Sequence, residues 1–189
     1  MCATVTKLDA AHRQLVTAIK MYFVDGDSVA IHTLACAARE IYERHCMNLE
    51  RDRMFAYIKG AHPERAERDL WNVLNGARNF FKHPGESLDE AIDLEDADNK
   101  YMLFCACHDC AMLCCEDQPA EVQAFNAWFL ATEFPRNLEG EQEDAAVEIM
   151  NSLDLRFPGL RTARLAEQKL AGLRLLDEVT AILDRQQQN

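Results

Sequence analysis

Lys7-Leu8-Asp9-Ala10-Ala11-His12-Arg13-Gln14-Leu15-Val16-Thr17-Ala18-Ile19-Lys20-Met21-Tyr22-Phe23-Val24, followed by Asp25-Gly26-Asp27, is the stretch on which the fold turns. Leu8, Ala11, Leu15, Ile19, Tyr22 and Phe23 recur at helical spacing, and Thr6 stands where an N-cap is wanted, so the spacing predicts an amphipathic helix. A second periodic run begins after Asp27 and continues to about Glu50, with Ile31, Leu34, Ala38, Ile41, Tyr42 and Leu49 on one face. So short a turn between two helices makes them antiparallel neighbours.

Working outward, the same period recurs along the chain. Pro63 suits a first helical turn, and Leu70, Val73, Leu74, Ala77 and Phe81 give an apolar stripe up to His83, where Pro84-Gly85 stops the helix. Glu86 to Asp98 reads as an acidic connector, a loop or one short helical turn. A fourth helix follows over roughly Asn99–Glu116. Pro119 opens a fifth with Val122, Phe125, Trp128 and Phe129, broken at Phe134-Pro135-Arg136-Asn137. The acidic run Glu139–Glu148 leads into a sixth with Ala146, Ile149, Met150 and Leu153, closed by Phe157-Pro158-Gly159. A last helix, about Leu160–Arg185, presents Leu170, Leu173, Leu176, Val179 and Leu183. The expected class is all-α: an antiparallel up-and-down helical bundle forming a single domain over 1–189, with a core over 1–116 and additional C-terminal helices over 117–189 packed on it.

Composition agrees. A chain of 189 residues can close a core without disulfides or metals. Seven Gly and five Pro leave little room for a many-turned β architecture. A net charge of −12 repels phosphate backbones and argues against a protein that coats nucleic acid nonspecifically, although a local basic site stays compatible with it. No apolar stretch approaches the roughly 20 residues that span a bilayer, and the start lacks the basic-then-apolar order of a signal peptide. No membrane partner and a cytoplasmic location are the expectation. Reduced thiols fit that compartment, since five of the eight cysteines crowd into Cys105–Cys115, too close on one helix for most pairs to reach disulfide geometry.

Chemistry is concentrated in Arg78-Asn79-Phe80-Phe81-Lys82-His83. At about 100° per residue, Asn75, Arg78, Asn79 and Lys82 fall on one side of a helix while Ala77 and Phe81 face the core. His83 precedes Pro84, so its backbone is pushed out of the α region and its side chain can turn back toward Arg78. Such a patch holds a permanent cation for a phosphate, an amide for orientation and the one side chain that exchanges protons near neutral pH. Those parts suffice for metal-free phosphodiester cleavage. Arg39, Glu40 and Glu43 form a polar edge on the second helix that a neighbour can bring near the motif, to pair with Arg78 or orient His83; the blander expectation is a solvated face.

Arg, a polar residue, three further positions and then His near a helix end resembles the HEPN domain signature, and the resemblance covers the motif and the hairpins around it, about Lys7 to Glu116. It implies a helical bundle, commonly a homodimer with two motifs facing each other, and an RNA or nucleotide ligand. Many such domains are metal-independent ribonucleases of toxin–antitoxin and defence systems, which implies a protein partner such as an antitoxin; others only bind nucleotides or partners. Carried over, His83 becomes the general acid or base for attack by a ribose 2′-hydroxyl, Arg78 holds the developing phosphorane charge and Asn79 orients them. Asn75 and Lys82 of the same patch, with Arg39 and Glu40 of the second helix, are the expected binding residues by placement. The alternative is a noncatalytic helical interaction module using the same bundle and its acidic surface.

Cys105, Cys107, His108, Cys110, Cys114 and Cys115 invite a zinc reading. Cys107, Cys110 and Cys114 share a stripe with Leu103 and Ala111, but structural zinc usually draws ligands from two turns or hairpins. Buried thiols in a central helix are the expectation, with no metal and no cofactor assigned, and His12, His32 and His45 read as packed or surface groups. No Ser-His-Asp signature, Gly-rich phosphate loop or His-Glu-x-x-His occurs.

Overall fold

The computed structural model describes residues 4–83, 89–114, 117–133 and 143–187. Among them are eight α-helices and one short 3-10 helix: α1 (Lys7–Phe23), α2 (Ser28–Asn48), α3 (Met54–Ala61), α4 (Glu67–Lys82), α5 (Asp96–Cys114), α6 (Ala120–Glu133), α7 (Glu143–Arg156), the 3-10 turn Leu160–Thr162 and α8 (Leu165–Gln187). The described residues contain no strand, so the protein is all-α. Among the described residues no helix is long and apolar enough to cross a membrane.

Local chemistry fixes the first hairpin. Thr6 accepts from the Asp9 amide at 3.1 Å while Asp9 reaches back to the Thr6 amide at 3.0 Å, a reciprocal capping box. At the other end of α1, Asp25 takes the left-handed region with φ 57, its amide bonded to the Tyr22 carbonyl and that of Gly26 to the Met21 carbonyl, a Schellman stop. Asp27 then caps α2 by accepting from Ala30 at 2.8 Å. Glu50 repeats the Schellman device after α2, with φ 52.

One hydrophobic cluster draws on α1, α2, α5, α6 and α8. His12 meets Tyr42 and Cys114, and Tyr22 meets Asp96, so α1 runs antiparallel to both α2 and α5. Within this bundle α2 and α5 lie parallel, as the pairings His32 with Asn99 and Cys46 with Asp109 require. The chain makes that return through α3 and α4. Asp109, buried on α5, accepts the Met54 amide at 2.6 Å and so serves the start of α3, whose own N-cap position, Arg53, offers no side-chain acceptor.

Several expectations need correction. Pro63 lies in the turn between α3 and α4, not in a helix, and α3 had no sequence signal strong enough to separate it. Val73 is 71% exposed, because α4 packs on the bundle along α2 and leaves its opposite flank open. Leu49 is exposed beyond the end of α2. The last helix is interrupted at 163–164, and its inner face is Gln168, Lys169, Gly172, Leu175 and Leu176, whereas Leu170 points outward. The breaker Phe134–Asn137 and the start of the acidic run lie outside the described residues.

The inward turn of α8 has a steric reason. A Cβ on Gly172 would lie 2.2 Å from Cε1 of the buried Phe23 ring. Gly172→Ala is expected to cost about 1–3 kcal/mol by overpacking, more than the roughly 1 kcal/mol that alanine adds as a better helix former. A thermal melt that rises instead would show that α8 can stand off from α1.

Candidate functional site

α4 runs antiparallel along α2, and the contact is polar. Arg39, only 2% exposed, donates to Glu43 at 2.9 Å and to the Asn75 side-chain oxygen of α4 at 2.8 Å. Glu43 is also buried and takes a second guanidinium, Arg53, at 3.2 Å. Trp71 lies against this network: the Arg39 guanidinium is 5.4 Å from its ring centroid, and Phe55 of α3 stacks on the indole with centroids 3.9 Å apart. Burial pushes the Glu43 carboxyl above its ordinary range, with Arg39 and Arg53 pulling the other way. Arg39 and Glu43 are therefore not the solvated face expected of them; two side chains of opposite charge have been carried inside together.

One turn further along, Arg78 donates to Glu40 at 2.5 Å and to the Asn79 oxygen at 3.2 Å. The structure thus joins five of the seven sequence-predicted site residues, Arg39, Glu40, Asn75, Arg78 and Asn79, into two adjacent hydrogen-bonded groups across α2 and α4. Lys82 is the last residue of α4 and is exposed. His83 is the C-cap, extended at φ −116 and ψ 129 as a residue before proline should be, and its amide bonds the Asn79 carbonyl at 3.0 Å. Its imidazole is exposed and makes no hydrogen bond to Arg78 or Asn79. Pro84 and the first residues of the acidic connector lie outside the described residues.

The aromatic half of the motif is structural. Phe81 meets the buried His32 ring edge to face at 5.9 Å, which fastens the C-terminal end of α4 to α2. Asn99 donates to the Ser28 carbonyl at 3.1 Å, leaving its oxygen for His32 Nδ1–H at 3.1 Å. Burial holds His32 below its ordinary value, hence neutral. Beside it a groove of about 500 Å³ opens between α4 and α5, lined by Val73, Ala77, Ile92 and Tyr101 among others.

The cysteine helix is as apolar as its stripe suggests. Cys105, Cys107 and Cys110 are buried, and burial pushes the Cys105 and Cys110 thiols up to about 12. A thiol so held is no nucleophile at neutral pH. Cys107 and Cys110 are fully enclosed, and Cys110 and Cys114 are joined by His12 of α1, whose Nε2 lies 3.7 Å from Cys114 Sγ. Trp71, Arg53 and His12 were the participants missed. Nothing in local spacing marks them: Trp71 and His12 meet partners on helices distant in sequence, and Arg53 reaches back across the α2–α3 turn to Glu43.

No family model, curated protein or solved structure matches this chain.

Proposed function

We propose that the protein is a HEPN-like module that binds RNA or a nucleotide by its phosphate along the α2–α4 edge and, as a homodimer, cleaves phosphodiesters without metal. The observation that carries this reading is the pairing of Arg78 with Glu40 and Asn79 one turn before an exposed histidine. Glu40 fixes the guanidinium in one orientation, and Arg78 keeps donors beyond the two engaged there. The cations of Arg39, Arg53, Arg78 and Lys82 outnumber the carboxylates of Glu40 and Glu43 on this edge, a local balance opposite to that of the whole chain.

In the reaction so assigned, His83 takes the proton of a ribose 2′-hydroxyl as its oxygen attacks phosphorus, and Arg78 meets the charge that develops on the phosphorane; the P–O5′ bond then breaks, leaving a 2′,3′-cyclic phosphate and a 5′-oxygen that takes up a proton to become a hydroxyl. Wild type and His83→Ala are compared on varied RNAs in EDTA. The histidine variant is expected to lose at least about a hundredfold in rate while still binding RNA. Arg78→Ala is expected to weaken binding itself. Equal cleavage by wild type and His83→Ala, or none by either, removes the enzyme reading.

The open flank of α4 favours a second reading, a noncatalytic module that docks a protein partner. Val73, Ile92 and Tyr101 are exposed around one groove there. Absence of RNA binding by the wild type would leave this reading in place of the first.

A further inference from the structure

We infer that the protein binds one zinc ion between α1 and α5, held by His12 Nε2, Cys110 Sγ and Cys114 Sγ. The three ligand atoms all lie within 4.8 Å of one another. Around a tetrahedral zinc with ordinary bond lengths, such atoms stand about 3.5–3.8 Å apart. The 3.7 Å between His12 and Cys114 already satisfies this, and closing the rest takes shifts of about 1 Å or less, within reach of side-chain rotation.

Cys110 and Cys114 are one helical turn apart and project from the same face of α5. Their spacing alone offered ligands from a single element. His12 supplies the second element, facing them from α1.

The imidazole is also prepared. The Tyr42 hydroxyl lies 3.0 Å from His12 Nδ1. In the tautomer that ligates a metal through Nε2, the Tyr42 oxygen accepts from His12 Nδ1–H. That leaves the Nε2 lone pair on the side of Cys114. An outer partner that fixes the tautomer of a ligating histidine is the usual companion of a metal site. Burial at 0% exposure keeps Tyr42 itself in place.

Two thiolates and an imidazole suit zinc and disfavour magnesium or calcium, which take oxygen ligands. A bound metal deprotonates a coordinating thiol outright. Cys110 is enclosed while His12 and Cys114 are half-exposed, so the fourth position opens toward solvent and takes water. The ion ties α1 to α5 at the end of the bundle away from Lys169.

The site shares no residue with the α4 motif, so its fate and that of the phosphate reading are separable: His83→Ala should leave metal binding unchanged, and His12→Gln should leave RNA binding unchanged.

The test is a cobalt(II) titration of the reduced, full-length protein prepared without a histidine tag. One equivalent of cobalt is expected to give thiolate-to-cobalt charge transfer in the near ultraviolet and tetrahedral bands in the visible, both abolished by added zinc. His12→Gln and Cys114→Ser alter half-exposed positions, so circular dichroism should stay that of the wild type while the cobalt spectrum is lost. Tyr42→Phe keeps the ligands and should keep the spectrum with about 10–100-fold weaker affinity. No charge-transfer band in the wild type overturns the assignment. A band that persists unchanged in both His12→Gln and Cys114→Ser also overturns it, since the metal would then sit on other thiols.

Discussion

Arg39→Met is expected to destabilise the fold by about 3–5 kcal/mol, measured by urea denaturation near neutral pH. Methionine fills much of the same volume, so the loss comes from what it leaves behind. Glu43, 4% exposed, keeps Arg53 at 3.2 Å but loses the partner at 2.9 Å, and Asn75 loses the donor that ties α4 to α2. The pH dependence separates this cause from packing. Without Arg39, Glu43 rises further above its ordinary 4.5, so the folded variant holds a proton that the unfolded chain has released. Stability of the variant therefore increases, relative to wild type, as pH falls through the folded value toward about 4.5. Arg39→Met/Glu43→Leu should recover most of the loss. A gap between Arg39→Met and wild type that stays constant from pH 8 to pH 5 would exclude the uncompensated carboxylate as its source.

Trp128→Ala is expected to cost a similar 3–5 kcal/mol, lowering the melting temperature by something on the order of 10 °C. Trp128 is fully buried and packs against Tyr22, Phe23 and Phe125 at centroid separations of 5.6, 5.5 and 5.5 Å. Its indole N–H also donates to the Gln168 carbonyl at 2.7 Å, which joins α6 to α8. Trp128→Phe keeps much of the packing and loses that bond, so a smaller cost of about 1–3 kcal/mol is expected. Equal losses in the two variants would mean that the hydrogen bond, not the ring volume, holds α8.

What could be read from the chain alone was what is decided locally. Both ends of α1 and the start of α2 follow from Thr6, Asp25 and Asp27, and the core positions Leu15, Ile19, Tyr22 and Trp128 follow from period. Of the α4 patch, periodicity placed Asn75, Arg78 and Asn79 on one side, and the structure adds what they face: Arg39 and Glu40. Polarity misled wherever a distant partner offset it. Arg39 and Glu43 look solvated until α4 covers them. Lys169 looks outward-facing until Asp25 and Asp96, 144 and 73 residues away, are brought to it at 2.8 and 2.5 Å. His12 looks ordinary until α5 lies alongside, because helix pairing is not written in the spacing of either helix.

The Lys169 junction bears on the order in which the protein can be assembled during synthesis. Residues 25 and 96 leave the ribosome well before residue 169. Until α8 arrives, two carboxylates converge beside the Tyr22 phenol without the ammonium that both of them accept from. The charge balance of that end is therefore complete only once α8 is in place, so the last helix closes a junction whose other members stand at the end of the first and the start of the fifth.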